Sequence, residues 1–121
     1  MRFARLVFVA AGIWGLLIVP PLFLLFDFIG RQNPPAITHP EYYYGFASVT
    51  LAWQFAFLVI ASDPRRFRPL MLPAIAEKLV FVAALVVLYA QARIAPSQAA
   101  AGAVDLVLGV LFTIAFFKTP S

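Results

Sequence analysis

Four long, nearly unbroken apolar stretches alternate along this chain with short segments rich in proline and charge. A bilayer core of about 30 Å is crossed by roughly 20 helical residues, and each stretch is that long. The pattern predicts four helices, at about 6–28, 43–61, 74–92 and 99–117. The joints carry helix-breaking residues: Gln32-Asn33-Pro34-Pro35 and His39-Pro40 after the first run, Asp63-Pro64 and Pro69 to Pro73 after the second, Pro96-Ser97 after the third. Eight of the ten prolines fall outside the predicted helix interiors, where a missing N–H and a ring clash would break the helix ladder. Pro20 and Pro21 are the exceptions and are expected to kink the first helix in its outer third. The first run follows Arg2 and Arg5 as a secretory leader would, but it exceeds the usual 7–15 apolar residues and no A-x-A-like site follows it. It is read as a retained span. The expected fold is a single domain, 1–121, all-α, an antiparallel four-helix transmembrane bundle.

Composition agrees with that pattern and excludes several chemistries. Of 121 residues, 64% are hydrophobic and 12% charged, about half the charge a soluble domain carries. With no cysteine, thiolate catalysis, disulfide exchange, iron–sulfur clusters and Cys-based zinc sites are ruled out. One histidine, His39, cannot make a multi-His metal site or bis-His haem within one chain. No metal site is expected, and no cofactor is evident.

The net charge of +4 is distributed by side. Arg2, Arg5, Arg65, Arg66, Arg68, Lys78 and Lys118 fall on one side of the predicted spans, Arg31 and Arg93 on the other. Basic residues accumulate on the cytoplasmic side, so both termini are expected in the cytoplasm of a cell inner membrane. Membrane lipid, not nucleic acid, is the expected partner of this charge. Arg65, Arg66 and Arg68 are read as contacts to lipid headgroups.

Polar groups inside apolar helices are costly and mark candidate sites. Asp105 leads. At 100° per residue it shares an arc with Gly102, Gly109 and Thr113, a small-residue stripe that lets another helix approach, so it is expected to face the bundle interior. Arg93, Asp27, His39, Glu41 and Tyr42-Tyr43-Tyr44 fall toward the same outer side, the tyrosines also suiting an interfacial belt. Gln54 sits near the middle of the second helix, on a face with Tyr43, Ala47, Thr50 and Ala61. The opposite face is a small-residue stripe, Gly45, Ser48, Ala52 and Ala56, and periodicity does not decide which face packs inside. Glu77 shares a face with Phe81, Ala84, Leu88 and Gln91 and is expected to point inward beneath the basic loop, paired with one of its arginines. Lys78, about 100° further round, is expected to snorkel to the headgroups.

Tyr44-Gly45 at the start of the second helix, Asp63-Pro64-Arg65, the early Glu77 of the third helix and Asp105-Leu-Val-Leu-Gly109 together resemble the DoxX-like small membrane proteins of bacteria. The resemblance spans the latter two-thirds of the chain and implies a four-helix bundle; some members of that group look like quinone-linked oxidoreductase subunits. The small multidrug-resistance transporters, similar in length, carry a carboxylate in mid first helix, which this chain lacks. The leading expectation is an accessory or binding protein that holds a lipid-like or quinone-like ligand, or a partner subunit, between its helices. Its expected pocket lies around Asp105, Gln54, Tyr43 and Arg93. The alternatives are an oxidoreductase or lipid-modifying subunit with a borrowed cofactor, using Asp105 or Glu77 as proton acceptor, and a homo-oligomeric proton- or cation-coupled transporter.

Overall fold

A computed structural model describes residues 2–120 and is all-helical over its regular elements. Helix α1 covers Arg2–Ile18 and runs into a 3-10 turn, Pro20–Leu24. A short helix α2, Phe26–Gln32, precedes α3, Pro40–Ser62. A second 3-10 turn, Arg68–Leu70, leads into α4, Met71–Ala90, and the one-turn α5, Pro96–Ala100, leads into α6, Ala103–Lys118. Four stretches are long and apolar enough to cross a membrane: Arg2–Leu24, Pro40–Ser62, Arg68–Ala90 and Pro96–Lys118, each of 23 residues. At 1.5 Å per residue that is about 34 Å of helix.

Proline sets these boundaries in two ways. Pro20 and Pro21 interrupt the first span, as a residue without an N–H must: the last α-type bond is Val19 N to Gly15 O, and the next is the tighter Leu22 N to Val19 O. The region at 26–28 belongs to a separate helix. Pro40, Pro69 and Pro96 instead occupy the first turns of helical elements, where the N–H would have no partner in any case. The third span therefore starts six residues earlier than position 74, with Pro73 inside its first turns.

The core is an aromatic cluster at the level of Phe8, Phe57 and Phe112. Phe8 stacks on Phe112 with centroids 4.3 Å apart, and Phe57 meets Phe112 edge-on at 5.0 Å. Met71, Ala74, Ile60, Ala61 and Ala115 fill in around them. Two arginines close the ends of helices beside this core. Arg5 Nε donates to Ala61 O at the end of α3, and Arg68 Nε donates to Phe116 O at the end of α6, both at 3.1 Å. Those carbonyls have no intrahelical donor, so each bond satisfies a group that would be costly to leave bare.

Helix α1 packs closely on α3, α4 on α6, and α1 on α6, while α3 and α4 touch sparsely. Close approach depends on glycine at two of these seams. A Cβ at Gly15 would lie 1.8 Å from Gln54 Oε1, and one at Gly109 would lie 2.5 Å from Leu79 Cδ2. The buried residues of α3 include Ala47, Gln54, Phe57 and Ala61, which settles its orientation: Gly45, Ser48 and Ala52 face outward. Fewer than a third of the residues in any span's apolar window are buried. Leu6, Leu17, Leu24, Val80 and Phe117 are each more than 60% exposed, an apolar outer surface of the kind that marks a membrane protein.

Candidate functional site

The sparse contact between α3 and α4 leaves a groove of about 900 Å³. Its walls are mainly apolar and aromatic: Phe46, Val49 and Trp53 from α3, Val80, Phe81 and Ala84 from α4. Phe46 and Phe81 face one another across it with centroids 5.8 Å apart. Glu41 and Tyr42, in the first turn of α3, stand at one end. Glu77, Lys78 and Asp105 also border it.

These three charged residues form one cluster. Lys78 Nζ donates to Asp105 Oδ1 at 2.9 Å and lies 3.5 Å from Glu77 Oε2. The Lys78 side chain is 6% exposed, those of Glu77 and Asp105 19% and 24%. The ammonium also lies 5.2 Å from the centroid of the Phe57 ring. Lys78 is the eleventh of 23 residues in its span and Asp105 the tenth in its own, so the pair lies near the middle of both spans, with Asp105 in the first turn of α6. Isolated charges at such a depth are expensive, and pairing is what makes them tolerable. Two carboxyls surround one ammonium, and Glu77 Oε2 is buried without a hydrogen-bond partner.

Helix α6 places Asp105 here through its small-residue face. Gly102 and Gly109 are buried beside Leu85 and Leu79 of α4, and Asp105 lies between them on the same stripe. The partner of Asp105 was not legible from charge placement. Lys78 does not snorkel: its side chain turns inward to Asp105. The third span begins at Arg68, which sets Lys78 in mid-helix, not one turn from the headgroups. Glu77 likewise meets Lys78 and not an arginine of the 65–68 segment. The one signal in the sequence was spacing: Met71, Ala74 and Lys78 fall on one helical stripe, and the first two are fully buried.

The other candidates lie elsewhere. Gln54 is 2% exposed, donates from Nε2 to Thr50 O at 2.8 Å and presses its Oε1 against Gly15 of α1. It is packing between helices. Tyr43 Oη donates to Leu22 O at 2.7 Å and thereby holds the turn after α1. Arg93 follows α4, exposed, with its guanidinium 3.4 Å from Gln91 Oε1. Arg65 and Arg66 are exposed, whereas Arg68 lies over the Phe116 ring at 3.8 Å. Of the residues expected at a site, the groove includes Asp105 and Glu77 and not Gln54, Tyr43 or Arg93. Among the described residues no cluster of three or more His, Cys, Asp or Glu side chains could hold a metal ion.

Comparison with protein-family models, with curated proteins and with solved structures finds no match.

Proposed function

We propose that this chain is an accessory protein of a cell inner membrane that holds a lipid-like or quinone-like molecule in the groove between α3 and α4. The observation that carries the reading is one surface with two characters. Apolar and aromatic walls of about 900 Å³ run onto a buried cluster of Lys78, Glu77 and Asp105. That size and lining suit a small-molecule site, where a few polar groups fix orientation. Because the groove lies between two spans, a molecule dissolved in the bilayer reaches it sideways. The two acids of the DoxX-like motifs, Glu77 and Asp105, are the ones that meet Lys78.

The arrangement is an antiparallel bundle with both termini in the cytoplasm. In its support, Arg5 near the start of α1 bonds the end of α3, and Arg68 before α4 bonds the end of α6. With Lys78 withdrawn into the span, Arg2, Arg5, Arg65, Arg66, Arg68 and Lys118 still outnumber Arg31 and Arg93, so the basic side remains the inner one. A second reading, a proton- or cation-coupled transporter, is favoured by the same mid-span ionisable trio. Unchanged proton-coupled uptake in Asp105→Asn proteoliposomes would remove it.

Native mass spectrometry of the chain in mild detergent tests the main reading. A retained lipid-like or quinone-like mass is expected, and Gly45→Trp should abolish it. Gly45 lines the groove, and a Cβ there meets no heavy atom within 4 Å, so a side chain is accommodated at this position and an indole is expected to occupy the groove. The same retained mass in both proteins would overturn the reading.

A further inference from the structure

The occupant's headgroup can be read from the groove's charge and hydrogen-bonding deficit, taking the groove between α3 and α4 to be the binding site proposed above. At the level of the cluster its charged residues are Glu77, Lys78 and Asp105, two acids against one base, while Glu41 stands at the far end of the groove with the His39 ring beside it at 3.2 Å. The Lys78 ammonium is directed at Asp105. Glu77 Oε2 is left buried, 3.5 Å from that ammonium and without a hydrogen bond.

A carboxylate oxygen only accepts hydrogen bonds, so what completes it is a donor. An anionic head would meet a net negative surface. A quinone carbonyl, itself an acceptor, would leave Glu77 Oε2 bare, at the cost of an unsatisfied buried group. An ammonium supplies both the missing donor and the missing positive charge, and the rings of Phe46, Trp53 and Phe81 suit a cation as well as an alkyl chain. We infer that the groove binds an amphiphile with a primary ammonium head, the head donating to Glu77 and the chain lying along the aromatic walls.

Isothermal titration of the full chain in mild detergent tests this with three probes of equal chain length: octylammonium, octanol and octanoate. Gly45→Trp in the same detergent serves as the blank for partition into micelles. Saturable binding of octylammonium is expected, at least tenfold tighter than that of either other probe. Glu77→Gln should weaken the ammonium at least tenfold and leave octanol unchanged. The ranking of the three probes on the wild type decides the assignment even if Glu77→Gln fails to fold. Octanol binding as tightly as octylammonium would overturn the headgroup assignment and leave the groove standing, as would tighter binding of a short-chain quinone. Equal heats from all three probes in the wild type and in Gly45→Trp would bring down the groove reading itself.

Discussion

Lys78 and Asp105 form a 2.9 Å ion pair between α4 and α6, about halfway along two spans whose outer faces are apolar. Removing one member of a buried pair leaves its partner uncompensated, which costs about 3–5 kcal/mol. Lys78→Met, which strands two carboxyls, should destabilise by roughly 3 kcal/mol or more on that scale. Adding Glu77→Gln and Asp105→Asn to it should restore most of the loss. Unfolding in detergent, followed by circular dichroism across the set, checks the non-additivity; equal losses in the single and triple variants would contradict it.

Gly15 and Gln54 are matched in the same sense. A methyl group at position 15 would overlap the Gln54 amide, 1.8 Å from Oε1 and 2.5 Å from Cγ, and Gln54 is buried with little room to move. Overpacking of this kind costs about 1–3 kcal/mol. Gly15→Ala should therefore lower the midpoint of unfolding, and Gln54→Ala in the same chain should recover much of it, since neighbours in contact do not add.

Ala92 closes α4 at φ 58°, in the left-handed region. Arg93 N–H bonds Leu88 O and Ala92 N–H bonds Tyr89 O, the bond pattern of a helix end that normally carries glycine at this position. An L-residue there costs about 1–2 kcal/mol, so Ala92→Gly should raise stability by about 1 kcal/mol after the extra entropy of glycine. A fall in the unfolding midpoint would speak against this geometry.

The absence of cysteine makes the topology directly testable with single substitutions. Ser62 and Ser97 are exposed at opposite ends of their spans. In intact cells an impermeant thiol reagent should label Ser97→Cys and spare Ser62→Cys until the membrane is opened. The reverse order would place the basic side outside.

Much of this molecule can be read from residue pattern alone. The four apolar runs each overlap one of the long helices, because length and hydropathy leave little choice at a bilayer's thickness. The stripe of Gly102, Asp105 and Gly109 does face another helix, since small residues are what permit that approach. Pro69 and Pro73 were misleading: proline ends a helix from inside but is welcome in its first turn, and the same residue type serves both purposes. That ambiguity put Lys78 near an end and hid its inward role. The turn of Gln54 toward α1 depended on a single absent side chain, at Gly15, which no periodicity singles out.

The pairing of α1 with α3 and of α4 with α6, joined chiefly where α1 meets α6, gives the molecule the build of an open book with its spine at the Phe8–Phe112 stack. On the open side the two leaves meet through ring contacts, Phe46 with Phe81 and Lys78 with Phe57, which part without leaving a donor or acceptor bare. What joins leaf to leaf is therefore chiefly the spine, while the bonds of Arg5 to Ala61 and of Arg68 to Phe116 each fasten the two sides of one leaf at the basic end.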